Sequence, residues 1–246
     1  MGSTVVVNHL GIGDHLMVNG LVRHLAETVD TVTVVGLEKH KESLEFMYRD
    51  NSKIKVKTVK TTAARDVWGA MKGFDKVVPL ATYGIPEDKW IQFTYGESPV
   101  STWCHLPYFQ AKVNPEYMRT KFYFERDHER EDAFYKKMGL EGQDYIFVHN
   151  EPDRHRENIV KTPYKVFNPD VKISPFNIFD YLKILENAKE IHCINSGWPW
   201  VVELFKIGTN NTNFMHCPKS LYNEYYPPSN IKMVFTDNIW TFLEDD

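Results

Sequence analysis

Two hydrophobic periods alternate along the chain. Thr4-Val5-Val6-Val7-Asn8 is a β-branched run, the pattern of a strand buried on both faces of a parallel sheet. Val18, Leu21, Val22 and Leu25 then fall at i, i+3, i+4 and i+7, which is one face of a helix. Thr31 to Val35 predicts a second strand, and Glu38 to Arg49 a second helix with Leu44, Met47 and Tyr48 turned inward. Ile54 to Val59 alternates as a third strand should, Val67 to Met71 predicts a short helix, and Lys76 to Leu80 a fourth strand. Repeated strand–helix–strand units imply a parallel, doubly wound sheet.

From Tyr83 to about Arg119 the pattern gives way to Gly, Pro and aromatic residues. Phe122 to Arg126 reads as a strand, and Arg130 to Met138 as a helix stopped by Gly139. Alternation restarts with the strand Tyr145 to His149 and the polar loop Asn150 to Arg156. Ile178, Tyr181, Leu182 and Leu185 mark a helix that Asn177 or Ser174 would cap. Ile191 to Ile194 is a strand, followed by Asn195-Ser196-Gly197 and a helix through Val201, Leu204 and Phe205. Asn213 to His216 and Ile231 to Phe235 read as strands, and Asp237 as the cap of a terminal helix holding Ile239, Trp240, Phe242 and Leu243. The fold class expected is α/β, with two Rossmann-like lobes at residues 1–121 and 122–246.

Composition narrows the function. Of 246 residues, 42% are apolar and 25% charged, ordinary globular usage that excludes a disordered or collagen-like chain. A net charge of −4 argues against a general nucleic-acid binder, which presents a basic face. Cys104, Cys193 and Cys217 are widely spaced, with neither a disulfide framework nor zinc-ligand spacing, so no metal is expected. No apolar run approaches the ~20 residues needed to span a bilayer. A cytoplasmic chain with no membrane span is expected; oligomeric state is not legible.

In open α/β sheets, ligands bind outside the carboxyl ends of the strands, and three loops with unusual residues occupy such positions. Gly11-Ile12-Gly13-Asp14-His15 follows the opening strand. Gly11 and Gly13 let backbone N–H groups approach an anionic donor, although position 16 is Leu and the third glycine of a dinucleotide fingerprint is absent. The alternative is a tight turn with Asp14 capping the helix. His149 to Arg156 carries Arg154 and Arg156, whose planar guanidinium groups suit phosphate oxygens, or else form a solvated loop balanced by Glu151 and Asp153. Asn195-Ser196-Gly197-Trp198-Pro199 opens a helix whose exposed amides suit a diphosphate, with Glu203 two turns in at the crevice or a solvent edge. Read without a ligand, it is an ordinary strand-to-helix connection. His192, inside a strand, reads as structural, and no Gly-x-Ser-x-Gly elbow is present.

The layout resembles glycosyltransferases of the GT-B architecture, two Rossmann-like lobes with parallel sheets facing across a cleft. Leu10-Gly11-Ile12-Gly13-Asp14-His15 and its helix look like the opening of heptosyltransferases, with Ile12 and His15 as departures from that spacing. Cys193-Ile194-Asn195-Ser196-Gly197 resembles the segment of the second lobe that grips the donor diphosphate. Ser174 to His192 looks like a recurrent sequence of small glycosyltransferases from bacteria and large viruses. The resemblance implies a metal-independent enzyme with no cofactor, moving a sugar from a nucleoside-diphosphate sugar to a hydroxyl of a glycan acceptor, with inversion. Asp14 would be the base, with His15 or His9 as understudy. His149, Arg154, Arg156, Asn195 and the amides of Ser196, Gly197 and Trp198 would hold the diphosphate, and Glu203 a ribose hydroxyl. His9, Trp103 and Tyr108 would meet the acceptor. An epimerase or hydrolase on the same fold, or a non-catalytic binding module, are the other readings.

Overall fold

The computed structural model describes residues 2–8, 10–80, 103–149, 162–169, 173, 175–217, 235 and 239–243. The chain divides into two compact units, Met1–Glu125 and Arg126–Asp246.

In the first unit, β1 (Ser3–Val7), β2 (Thr31–Leu37), β3 (Ile54–Val59) and β4 (Lys76–Pro79) form one sheet in the order β3-β2-β1-β4. Every pairing is parallel, with Val7 opposite Val35 and Val6 opposite Val78. Between the strands run α1 (Ile12–Met17), α2 (Asn19–Thr28), α3 (Lys41–Met47) and α4 (Ala64–Ala70). Val5, Val7, Val35 and Val59 pack with Val67, Ala70 and Met71 into one buried cluster, so α4 covers that face of the sheet. Alternation turns Val6, Val34 and Gly36 to the opposite face, where the Leu44 side chain of α3 lies so near Gly36 that a Cβ there would come within 2.2 Å of it. The second helix starts later than its apolar pattern implied, because Glu38–His40 is a separate 3₁₀ turn.

Two helices, α5 (Leu106–Ala111) and α6 (Tyr117–Thr120), are described at the end of the irregular stretch. α6 packs on α2 by backbone contact: a Cβ on Gly20 would stand 1.8 Å from the Tyr117 carbonyl oxygen. The expected strand at Phe122–Arg126 does not form. Side chains hold that segment instead of a ladder. Asn19 Oδ1 accepts the Tyr123 N–H at 3.1 Å, Phe124 packs against Phe46, and the Arg49 guanidinium donates to the Glu125 carbonyl.

The second unit opens with α7 (His128–Lys137), where Asp127 accepts the Arg130 N–H at 3.0 Å as an N-cap. Its sheet contains β5 (Tyr145–Val148), β6 (Lys165–Phe167), β7 (Ile191–Ile194), β8 (Asn213–His216) and β9 (Thr241–Leu243), in the order β6-β5-β7-β8-β9 and parallel throughout. A 3₁₀ turn, Ile178–Tyr181, leads into α8 (Leu182–Asn187), and α9 (Gly197–Leu204) follows β7. Asn177 and Asp180 form a reciprocal capping box, and Asp180 also accepts from Arg130 Nε at 2.6 Å, tying this helix start to α7. The segment from Asn177 to Asp180 therefore encodes a structural joint.

The chain end corrects the expectation of a terminal helix. Thr241, Phe242 and Leu243 add a parallel strand to β8, opposite Phe214, Met215 and His216. The apolar positions mimic a helical stripe, but Trp240 is buried with its indole N–H donating to Glu203 Oε2 at 2.9 Å, which pins the segment at the sheet edge. The expected strand Ile231–Phe235 lies outside the described residues except for Phe235. β6, too short and too exposed to show in the pattern, was not foreseen. No helix among the described residues is long and apolar enough to cross a membrane.

Candidate active site

The strand orders locate the candidate sites. In the first sheet β1 lies between β2 and β4, so the direction of winding reverses at β1. In the second, β5 lies between β6 and β7, and the reversal falls there. Loops leaving the carboxyl ends of strands at such reversals diverge and open a crevice. The loop with Asp14 leaves β1, and the loops beginning at His149 and Asn195 leave β5 and β7. The sequence motifs thus fall at the topological switch point of each sheet.

Asp14 sits in the first turn of α1, three residues after its N-cap Gly11. Its carboxylate turns back onto the Gly11 N–H and its own N–H, the backward half of a capping box. Gly11 is required by this geometry, since a Cβ there would meet Asp14 Oδ2 at 2.7 Å. Asn8 Nδ2 donates to the Asp14 carbonyl at 2.9 Å and holds the turn from the strand side. Burial outweighs the two amide bonds and raises the carboxyl from 3.8 to about 7. A carboxylate so poised exchanges protons near neutrality. Helix capping and a perturbed carboxyl thus coexist in one side chain.

His15 faces away from solvent, at 1% exposure, and burial first and His40 second lower its imidazole to about 3. His40 is likewise lowered to about 4, chiefly by burial. Both rings are neutral at physiological pH. Tyr108 is buried in the core with its hydroxyl donating to the Met17 carbonyl at 2.8 Å, so it buttresses the end of α1. Trp103 opens a 3₁₀ turn. His9 lies outside the described residues.

In the second unit, Ser196 caps α9: its Oγ accepts the Trp198 N–H at 3.2 Å and stands 3.3 Å from His149 Nδ1. One hydroxyl thus joins the ends of β5 and β7. Of the amides that a helix start leaves without intrahelical partners, Trp198's goes to Ser196 and Pro199 has none, leaving those of Ser196 and Gly197. The Trp198 ring is core, edge-on to Phe147 and Tyr181 at 5.1 and 5.0 Å. Glu203, expected at a crevice or solvent edge, is buried in hydrogen-bonding distance of Trp240. Beside these, Glu190, His192 and His216 form a chain at 3.0 and 2.9 Å across β7 and β8. Arg154 and Arg156 lie outside the described residues. Among the described residues no cluster of three or more His, Cys, Asp or Glu is placed to hold a metal ion.

Solved structures with the same arrangement decide the fold. A family 9 glycosyl transferase from Veillonella parvula matches over 99% of this chain and 86% of its own, with a TM-score of 0.60 at 12% identity. ADP-heptose LPS heptosyltransferase II of E. coli matches over 99% of this chain and 90% of its own, with a TM-score of 0.57 at 9% identity.

This is the GT-B fold.

The iron-containing dodecameric glycosyltransferase TibC of enterotoxigenic E. coli shares it over 92% of this chain and 61% of its own, with a TM-score of 0.53 at 10% identity. No family model and no curated protein matches the sequence. Within a GT-B frame the unit with Asp14 is the first Rossmann-like lobe and the unit with Ser196 the second. Sequence reading missed Asn8, Gly36 and His40. The signal for Gly36 was present, as a glycine interrupting an otherwise β-branched strand.

Proposed function

We propose that this chain is a metal-independent glycosyltransferase that moves a sugar from a nucleoside-diphosphate sugar to a hydroxyl of a glycan acceptor, with inversion at the anomeric carbon. The observation that carries the reading is the Asp14 carboxyl, held by the Gly11 turn at the carboxyl end of β1 and raised to about 7 by burial. A direct displacement needs such a base. The acceptor oxygen forms a bond to the anomeric carbon while its proton passes to Asp14 Oδ. The bond from that carbon to the diphosphate breaks, and the nucleoside diphosphate leaves with the electron pair. The leaving charge is met by the Ser196 and Gly197 amides, the positive end of the α9 dipole and the His149 ring, with Asn195 beside them. Arg154 and Arg156 extend this anion site in the proposal.

The neighbours suggest which donors to test first. E. coli heptosyltransferase II is named for ADP-heptose, and TibC has been solved with ADP-D-β-D-heptose. ADP therefore heads a panel of ADP, GDP, UDP and CDP and their sugars. Thermal unfolding of the chain with each nucleotide in large excess is expected to rise for at least one, because a ligand at 100 times its Kd adds about 2.7 kcal/mol. With that donor and a glycan array, Asp14→Ala should keep nucleotide affinity and lose sugar transfer by about two to four orders of magnitude. Retained transfer removes Asp14 from the chemistry. Stabilisation by no nucleotide ends the proposal, and turnover of donor without acceptor points to an epimerase or hydrolase.

A further inference from the structure

Charge is unevenly divided along the chain. Residues 53–77 carry seven Lys and Arg against two Asp, a net charge of +5 in a chain of −4, so the remaining residues carry −9. Much of this segment is gathered on the α4 face of the first sheet. Lys57 is level with Val35 and Lys55 with Thr33, so both lie on the face where Val35 and Val59 meet α4. Val77, opposite Val5, lies on that face at the other edge of the described sheet. α4 turns Val67 and Ala70 to the sheet and leaves Arg65 and Trp68 exposed, with Lys72 exposed in the turn that follows. Lys57 Nζ donates to the Ala70 carbonyl at 2.9 Å and stands over the Phe74 ring, fastening the β3 edge to the end of α4.

Two apolar side chains break the surface among these cations: Trp68 is 51% exposed and Val77 39%. The two acids are engaged within the protein, Asp66 by the Thr61 hydroxyl and Asp75 by the Ser3 N–H, each at 2.7 Å. Lysines, an arginine and two apolar tips thus share a face whose four strands span about 14 Å. A membrane surface matches that mixture, because anionic headgroups attract Lys and Arg while an indole ring settles at headgroup level. Nucleic acid fits less well. Lys55, Lys57 and Lys72 are point charges without a guanidinium fork, and Val77 offers no ring on which a base stacks. An anionic surface also repels the −9 carried elsewhere, and screening over about 8–10 Å lets the basic face be drawn in while the rest stands off.

We propose that the α4 face of the first unit docks on an anionic lipid bilayer, with Lys55, Lys57, Arg65 and Lys72 among the headgroups and Trp68 inserted at their level. The attachment is peripheral and reversible, since it combines charge with one shallow anchor. It does not depend on the glycosyltransferase reading.

The test is sedimentation of the unaltered chain with phosphatidylcholine vesicles, with or without about one-third phosphatidylserine, at low and high salt. Partition into the anionic vesicles is expected to exceed that into neutral ones by at least about tenfold at low salt, and to fall by a similar factor at high salt. Arg65→Glu with Lys72→Glu should lower it by about tenfold or more. Lys41→Glu with Lys136→Glu, the same charge change at exposed positions on other helices, should lower it by less than about threefold. Trp68→Ala should weaken it at either salt concentration. Equal partition into neutral and anionic vesicles overturns the proposal, and so does an equal loss in the two charge-reversed pairs. Tighter binding of single-stranded RNA than of anionic vesicles, lost with Arg65 and Lys72, assigns the face to nucleic acid and overturns it too. If the substituted chains fail to fold, hydrogen exchange of the unaltered protein on anionic vesicles decides: slowing at residues 65–73 is expected, and slowing only elsewhere overturns the docking face. Each readout is of binding, so a chain that transfers no sugar leaves this surface fully testable.

Discussion

Asp14 shows how one side chain answers two demands. As the third residue of α1 it satisfies the Gly11 amide, and as a half-buried carboxyl it is held near neutrality by desolvation. The folded state keeps a proton that the unfolded chain, at 3.8, releases, so stability falls as pH rises from about 4 to about 7 and stays at the lower value above that. Asp14→Asn is therefore expected to match wild type below pH about 4 and to be more stable above pH about 7. Urea unfolding at both pH values checks this; equal stabilities at high pH would show that the carboxylate is well solvated. Sugar transfer should rise through the same pH of about 7, where the base becomes available. The sequence showed the residue and its glycines, but the perturbation was not legible, because it depends on what buries the turn. The partners of Tyr108 and Glu203 were illegible for the same reason. A polar tip on an aromatic ring, or a carboxylate two turns into a helix, looks like a ligand contact until its partner is known, here the Met17 carbonyl and the Trp240 indole.

The strands were legible where β-branched runs were buried on both faces, as in β1 and β2. Elements defined by their neighbours were not. β9 exists because β8 offers an edge and Glu203 anchors Trp240, so a helical spacing of apolar residues was outvoted by pairing. Gly20 makes a similar point within α2. Replacing a helical glycine by alanine normally adds up to about 1 kcal/mol. Here the new methyl group would meet the Tyr117 carbonyl at 1.8 Å, and a backbone atom does not step aside. Gly20→Ala is expected to destabilise the fold by about 1–3 kcal/mol, measured by chemical denaturation. A neutral or stabilising result would mean that α6 shifts freely.

Across the whole chain, both sheets turn at the strand that precedes a candidate site, and this links two short sequence motifs without a shared signature. Alternating strand and helix periods sufficed to anticipate two parallel Rossmann-like sheets. The strand orders β3-β2-β1-β4 and β6-β5-β7-β8-β9, which place the switch points, had to come from the structure. They make a prediction for nucleotide binding. A bound nucleoside diphosphate should slow amide hydrogen exchange at residues 195–198 and at His149, and leave the Asp14 helix near its free rate. Protection confined to α1 would assign the nucleotide to the other sheet.

Among the described residues neither sheet contains an antiparallel pair, which bears on how the chain acquires its shape. No strand can find its partner through a tight hairpin; each ladder waits for an intervening helix or longer segment. The longest wait in the first unit is for β4, whose approach brings Ser3 against Asp75, 72 positions away, with their hydrogen bond of 2.7 Å closing the sheet's amino end. Such distant pairings lose chain entropy before contacts compensate, and they slow folding relative to helical bundles of equal size. During synthesis β1 must therefore emerge long before its second neighbour exists, leaving one valine-rich edge open until the ribosome has made the rest.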